Sequence, residues 1–320
     1  MRYCLPFVVL LSLGASLALD AGELSRVRLV HQRSLSHNNA VYCVAFARDG
    51  KRLASGSLDN TVKLWNVADG THVETLKGHG DGVAFVSYLA DGGIATASLD
   101  GSLKVWPADG GAALRTLRGH QGYLPCATAA STGALLASGG FDKTVRLWDA
   151  GTGEALATLT GHSANVQAVA IAPKNKIVAS AGDDRSIRLW DVATRKLLRV
   201  VEGHTRAVEA LAFAPQDDLL ASASADGTVR LWSLDGKQVA SIDNDSAGIK
   251  SLAFSHDGKL LATGATDGSV CLIRVQDRRE IFRTAGHKNT VYGVAFNPAG
   301  TLLASCGFDS TIHVWEVRSK

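Results

Sequence analysis

The chain has 320 residues, with 33 basic against 30 acidic side chains and a formal net charge of +3. So balanced a charge argues against a dedicated nucleic-acid surface, which needs a concentrated basic face. Length alone would suggest about two domains, and nothing beyond the first twenty residues is long and apolar enough to span a bilayer.

The chain opens "MRYCLPFVVLLSLGASLALDAGE". Arg2 precedes an apolar run from Leu5 to Leu13, and Ser16 and Ala18 are spaced as a cleavage site requires. This pattern predicts a secretory signal peptide over residues 1–18, with residues 19–24 as a short segment before the folded domain. The protein is then exported, to the periplasm, a cytoplasmic location being the alternative if the leader does not act. Cys43, Cys126, Cys271 and Cys306 follow at irregular spacing, with no CxxC and no CxxCH, and all four fall in apolar, strand-like segments. They are expected to be buried free thiols rather than a disulfide framework, a redox pair or a haem attachment.

Residues 25–35, "SRVRLVHQRSL", read as a strand with no unit before it. From residue 37 onward the chain repeats seven times, with repeat cores at about 37–66, 78–107, 119–149, 161–191, 203–233, 244–274 and 286–316. Four markers hold the register. A histidine enters each unit except the sixth (His37, His79, His120, His162, His204, His287), and Asp245 takes its place there. A hydroxyl follows in all seven units: Ser55, Thr96, Ser138, Ser180, Ser222, Thr263 and Ser305. Four residues later stand Asp59, Asp100, Asp142, Asp184, Asp226, Asp267 and Asp309. Six residues further come Trp65, Trp106, Trp148, Trp190, Trp232 and Trp315, with Ile273 in the sixth unit. Between the markers the pattern alternates with period two, as in "VYCVAF", "LLASAS" and "TVRLW", giving four short strands per unit and no room for helices.

This unit resembles the WD repeat, and the copies together resemble a seven-bladed WD40 β-propeller over residues 25–317, followed by a tail at 318–320. The resemblance implies an all-β ring of seven blades, each of four antiparallel strands. It also implies that the N-terminal strand becomes the outer strand of blade seven and closes the ring, which would be monomeric. Its apolar pattern is offset by one residue from the other outer strands, so a one-residue insertion is expected before His37. In the family, Trp, Ser/Thr, His and the turn Asp form one hydrogen-bonded chain within a blade. The chemistry suits that role: indole only donates, a hydroxyl does both, imidazole bridges and a carboxylate accepts. His, Ser and Asp together also invite a hydrolase reading, but a catalytic triad is needed once, in an exposed cleft with an oxyanion hole. Here the set recurs around a tryptophan and is structural. Blade six lacks the Trp and the His of that chain together.

Lys63, Lys104, Arg146, Arg188 and Arg230 recur four residues after the turn aspartates and read as solvated charge; an anion-binding ring is the alternative, with no aromatic interleaving to support nucleic acid. The residues five after each His position are Tyr42, Ala84, Pro125, Gln167, Glu209, Lys250 and Tyr292. Those just before the turn Asp are Leu58, Leu99, Phe141, Asp183, Ala225, Thr266 and Phe308. Both sets project from one face. Tyr42, Leu58, Leu99, Tyr123, Phe141, Tyr292 and Phe308 therefore form a candidate partner-binding patch, because aromatic anchors dominate interfaces; packing at blade seams is the alternative. The reading is a non-catalytic scaffold of the cell envelope that binds a protein or peptide, with no metal, cofactor or nucleic acid. The alternatives are an accessory subunit of an exported enzyme or redox complex, or a cytoplasmic adaptor.

Overall fold

The computed structural model describes residues 27–216, 218–243 and 248–318. The expected signal peptide, the segment at 19–24 and Asp245 lie outside the described residues. Among the described residues twenty-eight strands form seven four-stranded antiparallel sheets, and consecutive sheets pack as the blades of one propeller. Blade one holds Val41–Phe46, Arg52–Ser57, Thr61–Asn66 and His72–Lys77, from the channel outward. The next five blades follow the same order.

Blade seven is assembled from both ends of the chain. Its inner three strands are Val291–Phe296, Leu302–Gly307 and Thr311–Arg318, and its outer strand is Arg28–Ser36. The register runs from Arg28 opposite Arg318 to Ser36 opposite Thr311, so the final strand has no open edge along this length. Leu29 and Val27 complete the apolar contact between blades six and seven, and Leu35 packs against the cluster between blades seven and one.

The expected insertion before His37 is corrected by this register. Thr311 pairs with Ser36, the residue directly before His37, whereas Thr61, Ser102 and Thr144 pair with Lys77, Arg118 and Thr160, two residues before the next histidine. The connection is one residue shorter, because the glycine that precedes the other histidines is absent. Gln32 forms the bulge that Val73, Leu156 and Leu198 form in blades one, three and four. Such bulges twist an outer strand and blunt it as a template for further pairing.

The core lies between blades rather than within them. Val62, Leu64 and Leu76 of blade one, for example, pack with Val83, Val86, Ile94 and Trp106 of blade two. Close approach near the channel needs small residues on the second strands. A Cβ on Gly56, Gly139 or Gly264 would lie 2.4–2.7 Å from a methyl of Val83, Val166 or Val291 in the next blade. Only glycine gives that valine room.

Candidate functional site

Six blades carry the complete buried chain. The indole N–H donates to the Ser or Thr hydroxyl at 2.8–2.9 Å. That hydroxyl lies 2.7–2.8 Å from His Nε2, and His Nδ1 lies 2.8–3.1 Å from the turn carboxylate. Burial lowers the pKa of His37, His120, His162, His204 and His287, against the opposing pull of their aspartates. The rings are therefore neutral near pH 7: Nδ1–H donates to Asp, and Nε2 accepts from the hydroxyl. Each aspartate also accepts from the chain two residues on, as Asp59 does from the Thr61 amide and hydroxyl at 3.0 and 2.6 Å. These bonds fix the turn in which the next residue is left-handed, at Asn60, Lys143, Arg185 and Ser310 or at Gly101, Gly227 and Gly268. The histidine side chains are only 0–1% exposed, so no substrate reaches them.

In blade six, Ile273 is fully buried among Val229, Leu231, Ile242 and Leu261, filling the indole's place with hydrocarbon. The four thiols are free, and burial pushes them up, Cys126 to about 12 and Cys271 to about 11. They are unreactive at neutral pH.

Four of the five recurring basic residues are less solvated than the spacing suggested, Lys63 being the exception. Lys104 is buried and donates to Thr116 Oγ1 at 2.8 Å. Arg146, Arg188 and Arg230 are half-buried, with guanidinium groups tucked against Gly119, Gly161 and Gly203. Each arginine also lowers the pKa of the neighbouring buried histidine, His120, His162 or His204. They are parts of the blades and do not form a free anion-binding ring.

The residues five after the histidine position surround the channel mouth, a cavity of about 270 Å³. A bulge aims them there. In blades one, two, four, five, six and seven the register slips by one at Tyr42, Ala84, Gln167, Glu209, Lys250 and Tyr292. A bulged side chain leaves the alternation of its strand, which is how sheets re-aim groups at sites. In blade three Pro125 has no N–H to give the ladder, and the strand starts after it, at Cys126.

Outside this ring the residues before the turn aspartates dock on the neighbouring loop: the amides of Leu58, Leu99, Phe141 and Phe308 donate to Ala40, Gly82, Tyr123 and Thr290 carbonyls at 2.8–2.9 Å. Tyr42 and Tyr292 meet edge to face at 4.8 Å across the junction of blades one and seven, and Phe308 lies 6.4 Å from Tyr292. Tyr123 and Phe141 form a second edge-to-face pair at 5.6 Å. Phe308 and Tyr123 are about half exposed, at 50% and 51%. Leu58 and Leu99 differ from these five: both close on Gly82, where a Cβ would come 2.8 and 3.5 Å from their methyl groups, so they pack a seam.

The opposite side of the same face is polar. Asp183 accepts from Asn165 and Gln167 at 3.0 and 3.1 Å, and Lys250 pairs with Glu209 at 2.6 Å. The spacing alone did not reveal these ties. Its one trace is the 41-residue step from Glu209 to Lys250, which puts opposite charges at the same position of adjacent blades.

Among the described residues no helix is long and apolar enough to cross a membrane. The family described as "WD domain, G-beta repeat" matches residues 29–66, 70–107, 111–149, 153–191 and 278–316, and "Anaphase-promoting complex subunit 4 WD40 domain" matches residues 211–285. Similar proteins include the Notchless protein homolog of Arabidopsis thaliana, 47% identical over 55 residues, which are 16% of this chain and 12% of that protein. The Intraflagellar transport protein 122 homolog of Homo sapiens is 47% identical over 53 residues, 16% of this chain and 4% of its own. Protein tipD of Dictyostelium discoideum is 39% identical over 57 residues, 18% and 9% of the two chains. The chain thus spans a small part of each relative.

Proposed function

The chain belongs to the WD40-repeat family, and from that premise we propose that it is a non-catalytic scaffold of the cell envelope, holding a protein or peptide partner on the aromatic side of its channel face. One observation carries this reading. Tyr42, Tyr292 and Phe308 converge at the junction of blades one and seven, with Tyr123 and Phe141 on the same face in blade three. Rigid aromatic groups lose little freedom on binding, so a few of them can supply most of an interface's energy. Burial, with Asp81 nearby, raises the Tyr42 phenol; burial, with Tyr42 and Glu209, raises that of Tyr292, so both remain neutral. The envelope location rests on the residue pattern of 1–18.

Affinity capture from the native host, read by mass spectrometry, identifies the partner. Alanine at Tyr42, Tyr292 or Phe308 should then weaken binding by ~2 kcal/mol or more each while leaving the melting temperature nearly unchanged. Gln167→Ala and Glu209→Ala, on the polar side of the same mouth, serve as controls. Larger losses at the controls would place the partner elsewhere, and early melting of the aromatic variants would make those residues seam packing. N-terminal sequencing of the protein from its host tests the location separately. A chain starting at residue 19 supports export, and an intact N-terminus in the cytosolic fraction overturns it.

A further inference from the structure

Blade seven departs from the repeat in a way that the binding face does not use. Four residues after the turn aspartate, where blades one to five carry Lys63, Lys104, Arg146, Arg188 and Arg230, it carries His313. On the N-terminal strand Ser34 stands opposite His313, and His31 opposite Trp315. The two imidazoles come from the two ends of the chain, 282 residues apart, yet His31 Nε2 lies 3.1 Å from His313 Nδ1. Ser34 Oγ completes a triangle, 2.9 Å from His313 Nδ1 and 3.1 Å from His31 Nε2.

The three atoms stand at hydrogen-bond distances, a few tenths of an ångström inside the spacing of a metal ligand set. Bonds of about 2.0–2.1 Å to a tetrahedral ion space neighbouring donors at roughly 3.3 Å. The tautomer of His313 is set for such a role. His313 Nε2 lies 3.3 Å from Thr311 Oγ1, whose hydroxyl donates to Asp309 Oδ1 at 2.6 Å. With its hydroxyl proton committed to Asp309, Thr311 can only accept from His313 Nε2–H. The lone pair of His313 then rests on Nδ1, facing His31. A carboxylate acting through a hydroxyl on a ligand imidazole is the outer support that metal-binding histidines usually have. His31 and Ser34 are exposed, which gives an ion access and leaves room for water as a further ligand.

Blade one shows what the same position looks like without a site. His72 stands over Trp65 at 5.6 Å, as His31 stands over Trp315 at 5.3 Å. Its neighbour on the third strand is Lys63, which donates to the Ser36 carbonyl and cannot ligate. A second grouping, His287, Asp309 and His313, also has its ligand atoms within 4.8 Å of one another. Using it would break the bonds from His287 to Asp309 and Ser305 that hold the blade.

We propose that His31 Nε2 and His313 Nδ1, with Ser34 Oγ or water beside them, bind a divalent transition ion such as Zn²⁺, clasping the first strand of the propeller to the last. Such an ion binds the closed ring and not the opened one, so it stabilises closure by mass action.

The test uses the untagged full chain, freed of metal by chelation, with ZnCl₂ as probe. Equilibrium dialysis should find one Zn²⁺ site per chain, and the melting temperature should rise with Zn²⁺. His31→Gln and His313→Arg should each abolish both effects. His313→Arg places there the residue that blades three, four and five carry, so it should fold and melt like the metal-free parent. Thr311→Val should keep the site but weaken it by about tenfold or more, through the lost support. No saturable binding up to millimolar Zn²⁺ would overturn the proposal, as would binding that survives both histidine variants. Loss in His313→Arg with full retention in His31→Gln would also overturn it, assigning the ion to His287, Asp309 and His313.

Discussion

Blades six and seven are both irregular, in opposite ways. Blade seven is cut: its outer strand and its other three come from opposite ends of the chain. Yet its buried chain is whole, from Trp315 through Ser305 and His287 to Asp309. Blade six is covalently continuous, but Ile273 replaces the indole. The contrast separates two sources of blade integrity that coincide elsewhere: connection through the backbone and the internal run of hydrogen bonds.

The largest effect expected comes from breaking closure. Deleting residues 21–35 removes the strand paired with Thr311–Arg318 and takes Leu29 and Leu35 out of two apolar clusters. The truncated protein should aggregate or lose its cooperative melt, because a full-length edge is exposed at the seam that no covalent link holds. A monomeric protein with an unchanged melt would mean that the N-terminal strand does not close the ring.

Next comes the buried chain itself. Trp190→Ala in blade four leaves a large cavity and strips Ser180 of its donor, and should cost roughly 3–5 kcal/mol in urea unfolding. Ile273→Val at the same position of blade six removes one methylene and orphans nothing, so about 0.5–1.5 kcal/mol is expected. Similar costs at the two sites would erase the distinction between the blades.

A smaller effect should appear with pH. Burial holds His37, His120, His162 and His204 below their ordinary value of 6.5, so the unfolded chain binds more protons than the native one as the pH falls through that value. The stability they contribute is complete above about pH 6.5 and is lost progressively below it. Their aspartates, held low by hydrogen bonds from the turn and from the histidine, extend the loss further into acid. His162→Gln should flatten the melting temperature between about pH 7 and pH 5 relative to the parent. An unchanged slope would show that this histidine is not kept neutral by the fold.

The ring, the strand order and closure by the first strand could be read in the sequence for a physical reason. A polar chain running from indole to carboxylate needs four side-chain chemistries at fixed spacing, and few substitutions keep it. What could not be read depends on local backbone detail or on the closed ring. The bulges at Tyr42 and Tyr292 decide where the aromatic groups point, yet leave no mark in composition. The connection before His37 is shorter, not longer, because the offset of Leu35 has the same appearance for a residue lost as for one gained until its partner is known. Arg146 and its equivalents look like surface charge in an alternating strand, and only the packing of Gly119 over the guanidinium shows otherwise. Leu58 and Leu99 sit in register with Phe141 and Phe308, but Gly82 between them turns both inward to a seam. His31 and His313 meet only once the ring is closed.

The most direct measurement is native-state hydrogen exchange, read by peptide across three blades. If the buried chain of hydrogen bonds sets how firmly a blade holds, residues 249–274 of blade six should exchange faster than residues 166–191 of blade four. Residues 291–318 of blade seven should match blade four despite the break in the backbone. Protection in blade six equal to or greater than that of blade four would contradict the account, as would a blade seven that opens first.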